Sequence, residues 1–125
     1  MSALAATAEK AASASVRGKL FPSPEPTLEP GDDKRIALHG DEPTMGVLND
    51  KRLAGVDLEA LGHFSSPGLF EVDPIHLSAM FVHRDGKKLL ITYWCDVCYI
   101  RTYSPGVCWC CQKYTDLDLR EASEL

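Results

Sequence analysis

The cysteines of this 125-residue chain constrain its fold more than any other feature. All five lie after position 94, and four of them form two C-x-x-C pairs separated by nine residues: Cys95, Cys98, Cys108 and Cys111. Two such pairs can present four thiolates to one metal ion, at about 2.3 Å each, in a closed tetrahedral shell. The spacing therefore predicts a metal centre, with zinc as the expected metal and iron as the alternative.

The fifth cysteine, Cys110, lies inside the second pair and directly precedes Cys111. Because Cys111 completes the C-x-x-C spacing, Cys110 is the predicted spare thiol, although spacing alone leaves either residue open as the fourth ligand. A spare thiol of this kind is either an inert packing residue or a redox-sensitive group. Disulfides are disfavoured, because the number of cysteines is odd, two are adjacent, and the first residues show no secretion-signal pattern.

The segment from residue 89 to residue 115 resembles zinc ribbons and rubredoxin-type knuckles. A predicted strand leads into the first pair, and a turn at 104–106 returns the second pair beside it. Knuckles of that family commonly carry proline after the first cysteine and glycine after the second. Here Asp96 and Tyr99 occupy those positions in the first knuckle, and Trp109 and Gln112 occupy them in the second.

Aromatic residues surround the cysteine pairs and alternate with basic residues, a mixture that could stack on bases and contact phosphates. Residues 78–113 contain five basic and two acidic side chains, a sum of +3, which a zinc ion with four thiolates would reduce by two to +1. That charge is small for a groove that neutralises several phosphates. We therefore expect the aromatic rings to shield the metal; they are Trp94, Tyr99 and Trp109.

The first 35 residues have the composition of an arm outside the folded domain. Alanine and serine dominate the start, and four prolines follow between positions 22 and 30, which favours extended backbone. Few apolar side chains are present to offset the entropy lost on ordering. Residues 1–35 are therefore predicted to be flexible or docked on a partner, with Leu20 and Phe21 as the docking residues.

Residues 36–120 are predicted to form a small, mainly β domain, followed by a tail over 121–125. Thr44 is the candidate N-cap of one short helix. Alternating hydrophobicity predicts strands over 56–64 and 70–73, and Asp85-Gly86 is typical of a type I′ hairpin turn. The predicted fold is a small antiparallel sheet with one short helix, a C-terminal zinc ribbon at 89–115 and an extended N-terminal arm.

The motifs favour a role without catalysis. The chain contains no phosphate-binding loop and no nucleophile elbow, and its four histidines lack the spacing of a paired site. No apolar run reaches the roughly 20 residues of a membrane helix, so we expect a cytoplasmic protein. We predict a zinc-stabilised module that binds another protein, as an accessory subunit of a larger complex. The alternatives are a redox or electron-transfer protein using iron or exchanging thiols, and a ribbon that binds single-stranded nucleic acid.

Overall fold

The computed structural model describes residues 14–31, 33–74 and 78–124, and these residues are mainly in β-strands. Helix α1 (Glu42–Leu48) lies between the third and fourth strands, and short 3-10 helices cover Lys51–Leu53 and Ala122–Glu124. The predicted mainly β class with one α-helix is confirmed. The strands are β1 (Ala14–Phe21), β2 (Thr27–Gly31), β3 (Lys34–His39), β4 (Asp57–Ser66), β5 (Leu69–Val72), β6 (Met80–Arg84), β7 (Lys87–Cys95), β8 (Ile100–Thr102) and β9 (Asp116–Glu121).

The first five strands close into a barrel. Strand β1 pairs antiparallel with both β2 and β4, while β2 pairs with β3 and β4 pairs with β5. Strands β3 and β5 run parallel. The order β1-β2-β3-β5-β4 therefore returns to β1, with α1 between β3 and β4. This connectivity is that of the five-stranded Greek-key barrel known as the OB-fold.

The barrel encloses an apolar core to which its strands contribute fully buried side chains. Leu20 in β1, Leu28 in β2, Leu58 in β4 and Phe70 in β5 have no exposed surface. Burying a side chain of this size stabilises a fold by roughly 1.5–3 kcal/mol. Strand β1 is thus part of the barrel wall and of its core.

The predicted N-terminal arm is wrong for the described residues from 14 to 35, which form β1, β2 and the start of β3. Leu20, predicted to dock on a partner, lies in the core, whereas Phe21 is 37% exposed and stays a prediction for docking. The composition was misleading because β1 has few apolar residues, yet two of them, Val16 and Leu20, are buried in the barrel core. The part of the predicted arm before residue 14 lies outside the described residues.

Gly62 lies on β4 at the point where the strand begins to pair with β5. A Cβ atom at this position would stand 1.9 Å from the backbone oxygen of Glu71. Only glycine allows the two backbones to approach this closely, so Gly62 is required for the barrel to close.

Helix α1 begins with a cap that differs from the predicted one. The carboxylate of Asp41 accepts a hydrogen bond from the backbone N–H of Thr44 at 3.0 Å, so the N-cap is Asp41. Thr44 lies inside the helix and is fully buried. The predicted short helix is confirmed, but its predicted cap is wrong.

A second antiparallel region extends from β4 through β6 and β7 to β8 and β9. The β6–β7 hairpin turns at Asp85 and Gly86, whose φ angles are 54° and 77°. Both central residues of a type I′ turn need positive φ, so the predicted hairpin is confirmed.

The predicted tail is wrong where the structure describes it, because Glu121 ends β9 and the next three residues form a 3-10 helix.

Candidate metal centre

Four cysteine sulfurs converge at the end of β7. The Sγ atoms of Cys95, Cys98, Cys108 and Cys111 all lie within 4.8 Å of one another, and those of Cys95 and Cys111 are 3.6 Å apart. In a tetrahedral zinc site with bonds of about 2.3 Å, neighbouring sulfurs are about 3.8 Å apart. The four thiols therefore form a group of the size that one tetrahedral ion requires, and they could hold a metal ion.

The two C-x-x-C pairs fold as equivalent knuckles. The backbone N–H of Tyr99 donates to the carbonyl of Cys95 at 2.8 Å, and the N–H of Gln112 donates to the carbonyl of Cys108 at 2.8 Å. Tyr99 and Gln112 also share a positive φ, 56° and 69°. These are the two positions where zinc-ribbon knuckles commonly carry glycine. The backbone thus keeps the knuckle conformation without the residue that adopts it most easily.

Replacing Gln112 with glycine should stabilise the second knuckle. A residue with a Cβ pays about 1–2 kcal/mol to adopt the positive φ of position 112, and glycine avoids this cost. Glycine also loses more backbone freedom on folding, which offsets roughly 0.5–1 kcal/mol of the stabilisation. We expect Gln112→Gly to raise the free energy of unfolding by about 0.5–1 kcal/mol, measured by urea denaturation of the metal-loaded protein. Gln112→Ala keeps the Cβ and should show no such gain. Equal stability of the two variants would contradict this account.

Backbone N–H groups of both knuckles point at sulfur atoms. The N–H of Cys98 lies 3.4 Å from Cys95 Sγ, and that of Cys110 lies 3.4 Å from Cys108 Sγ. The N–H groups of Cys111 and Cys110 lower the pKa of Cys108 to about 7, because they stabilise its thiolate. The neighbouring Cys110 thiol and desolvation instead raise the pKa of Cys98. Since metals bind thiolates, these N–H groups favour the form of Cys108 that can act as a ligand.

Cys110 lies outside the group of four sulfurs that could share one ion. Cys110 is exposed, whereas Cys95 and Cys108 are buried and Cys111 is half-buried. This arrangement favours Cys111 over Cys110 as the fourth ligand, and the spare-thiol role of Cys110 stays a prediction.

The predicted aromatic shield does not form as a packed lid. Tyr99 and Trp109 are each 74% exposed, so neither ring is buried over the sulfurs. Trp94 is half-buried, with its ring centroid 5.9 Å from that of Tyr99 and 4.8 Å from the Arg101 guanidinium. Shielding of the metal therefore stays a prediction for Trp94 alone.

The basic side chains beside the cysteines are paired with acidic ones. Lys113 pairs with Asp96, and Arg101 pairs with Asp118 at 2.8 Å. The hydrogen bond from Lys113 lowers the pKa of Asp96. Since Arg101 and Lys113 are the only basic residues between 95 and 115, that segment presents no unpaired cation.

A side-chain network joins the ribbon, the cysteine-bearing segment 95–115, to the barrel. The Tyr93 hydroxyl donates to the Asp50 carboxylate at 2.9 Å, and Arg52 donates to the same carboxylate through two nitrogens, at 3.0 and 2.9 Å. Arg52 also donates to the backbone oxygen of Thr115 at 3.0 Å, and its guanidinium lies 5.2 Å from the ring centroid of Tyr114. No local sequence pattern marks this network, because its members are distant in the chain.

Asp50 should make stability depend on pH. Burial would by itself raise the pKa of this carboxyl, but hydrogen bonds from Arg52 and Tyr93 outweigh burial and lower it. Because the folded pKa lies below the unfolded value of about 3.9, the charge stabilises the fold above about pH 4, and this contribution is lost as the pH falls through the folded pKa. Asp50→Asn should lower the free energy of unfolding by about 1–3 kcal/mol at pH 7. The difference between the variant and the wild-type protein should shrink toward pH 2. Urea denaturation across this range measures it, and a constant gap would contradict the assignment.

The described histidines do not join the cysteine centre. His39 pairs with Glu71 at 2.9 Å, and His83 pairs with Glu59 at 2.7 Å. His76 lies outside the described residues.

Within the described ranges, no helix has the length and apolar character needed to cross a membrane.

The fold and the site together define a β-barrel protein with a candidate four-cysteine metal centre. No protein-family model, curated protein or solved structure matches this chain. The class therefore rests on the strand connectivity and on the geometry of the four sulfurs.

Proposed function

We propose that this protein is a non-catalytic module in which a structural zinc ion holds a ribbon that binds another protein. The observation that carries the proposal is the convergence of four sulfurs within 4.8 Å of one another. Four thiolates complete the tetrahedral shell of zinc and leave no position for water or substrate, which is the pattern of structural rather than catalytic sites. The role fits an accessory subunit of a larger complex.

The ribbon needs such a metal because it has little core of its own. Strand β8 has only three residues. Of the eight large hydrophobic side chains that are exposed in the described chain, six lie between residues 97 and 114. A segment that buries so little apolar surface does not offset its chain entropy by packing. Structural zinc, which contributes an apparent ~10–16 kcal/mol in small modules, would supply the missing stability.

A protein partner fits the ribbon better than nucleic acid does. Exposed tyrosine and tryptophan carry much of the binding energy at protein interfaces, and they can also stack on bases. Phosphate binding additionally needs several free cations, but Arg101 and Lys113 are both ion-paired. Barrels of this connectivity include oligonucleotide binders, yet this chain has a net charge of −5. The charge distribution therefore favours a protein.

Elemental analysis of the purified full chain tests the metal. We expect one zinc ion per chain and no visible absorbance, and we expect a chelator to unfold residues 95–115, as followed by amide hydrogen exchange. Iron with thiolate absorption in the visible would overturn the proposal in favour of electron transfer. Absence of metal together with reversible disulfide formation would overturn it in favour of thiol exchange.

A further inference from the structure

The ribbon carries a concentrated set of exposed apolar side chains. Val97 and Trp109 lie inside the two knuckles, which the converging sulfurs bring together, and Val107 pairs with Tyr114 across an antiparallel bridge. Exposure of this many large apolar side chains within one short segment is typical of an interaction site. These exposed side chains are together called the ribbon surface: Val97, Tyr99, Tyr103, Val107, Trp109 and Tyr114.

The charge at the ribbon surface is negative once metal is bound. A zinc ion with four thiolates carries −2, while the charge of Lys113 is balanced by Asp96 and that of Arg101 by Asp118. The chain as a whole has a formal charge of −5 even with its cysteines neutral. Phosphate groups, anionic lipid and a second copy of this chain would all be repelled by this field, and a cationic partner would be attracted.

Aromatic rings in this protein repeatedly pair with cations. Arg52 lies over Tyr93 and Tyr114, Lys88 lies over Phe81, and the same contact joins Arg101 to Trp94. Trp109 differs, because the residue is 74% exposed and, among the described residues, its ring has no ring or cation partner. Tryptophan is the side chain that binds cations best through its face. The exposed Trp109 ring, in negatively charged surroundings, is thus suited to a cation–π contact with an arginine or lysine from another molecule.

We infer that the ribbon surface binds a cationic segment of a partner protein, with arginine side chains stacked on Trp109 and Tyr99 and apolar side chains against the two valines. The inference rests on the proposed function and adds the chemistry of the partner. Arginine satisfies both features of the surface, because its planar guanidinium stacks on aromatic rings and its charge complements the thiolate-bound metal.

Calorimetric titration of the zinc-loaded full chain tests this inference. The probe is a short peptide of alternating arginine and glycine, and the matched probe replaces each arginine with citrulline, which keeps the shape but removes the charge. We expect saturable binding of the arginine peptide and at least about tenfold weaker binding of the citrulline peptide. Trp109→Ala should weaken arginine-peptide binding about fivefold to thirtyfold. Phe64→Ala, which removes an exposed ring outside the ribbon, should leave the affinity unchanged.

The inference would be overturned by equal affinity for both peptides, by a Trp109→Ala variant with full zinc content and unchanged affinity, or by tighter binding of an oligothymidylate than of the arginine peptide. If Trp109→Ala lowers zinc content, Trp109→Phe serves in its place. It should bind with intermediate affinity, and full affinity would count against the inference. A zinc-loaded chain that does not bind the arginine peptide overturns this inference alone, whereas a chain without zinc overturns the proposed function.

Discussion

Cys98→Ser should remove most of the bound metal and unfold the ribbon, whereas Cys110→Ser should change neither. Loss of one thiolate from a four-sulfur shell removes a quarter of the metal's bonds and opens the site to water. Because binding energy in such a module is folding energy, residues 95–115 should then lose their amide protection. Zinc per chain and hydrogen exchange of the ribbon amides measure both effects.

The two serine variants are a matched pair, since the same atom is exchanged in the same ribbon. Cys98 Sγ belongs to the group of four sulfurs and Cys110 is exposed beside it. The barrel amides of β1–β5 should stay protected in both proteins, because the barrel has its own apolar core. If the two variants lose zinc to the same extent, Cys110 contributes to metal binding and the ligand assignment fails.

Leu20→Ala should destabilise the barrel by about 2–5 kcal/mol, the cost typical of emptying a fully buried leucine site. Leu20 has no exposed surface and lies in β1, the strand that closes the barrel against β4. Urea denaturation followed by far-ultraviolet circular dichroism measures the change. The zinc content should not fall under native conditions, since the cysteines lie beyond β6.

Phe21→Ala is the control for this prediction, because Phe21 is adjacent in sequence but 37% exposed. Its effect should be below about 1.5 kcal/mol, since much of the ring is already in water. An arm docked on a partner predicts the opposite pattern, in which neither substitution changes the stability of the isolated chain. Equal and small effects would therefore restore the interpretation of residues 14–35 as an arm.

Local sequence patterns were sufficient for three parts of this protein. The cysteine spacing identified the four sulfurs that converge, Asp85-Gly86 identified the hairpin, and alternation identified β4 and β5. In each case the determining residues are close in the chain, so the interaction that selects the structure acts over a few bonds. A knuckle or a type I′ turn is favoured by its own residues before the rest of the chain has folded.

The barrel and its link to the ribbon depend on contacts between residues that are far apart in the sequence. Strand β1 becomes a strand because Val16 pairs opposite Ala60, and Arg52 holds the ribbon through Thr115. The residues around Val16 do not predict its pairing with Ala60, and those around Arg52 do not predict its hydrogen bond to Thr115. Apolar burial and side-chain hydrogen bonds have no preferred separation along the chain. The cysteine spacing predicted which four thiols converge, and Asp85-Gly86 predicted the hairpin. Only the packing of distant segments shows that residues 14–31 belong to a closed barrel and that Tyr99 and Trp109 face solvent.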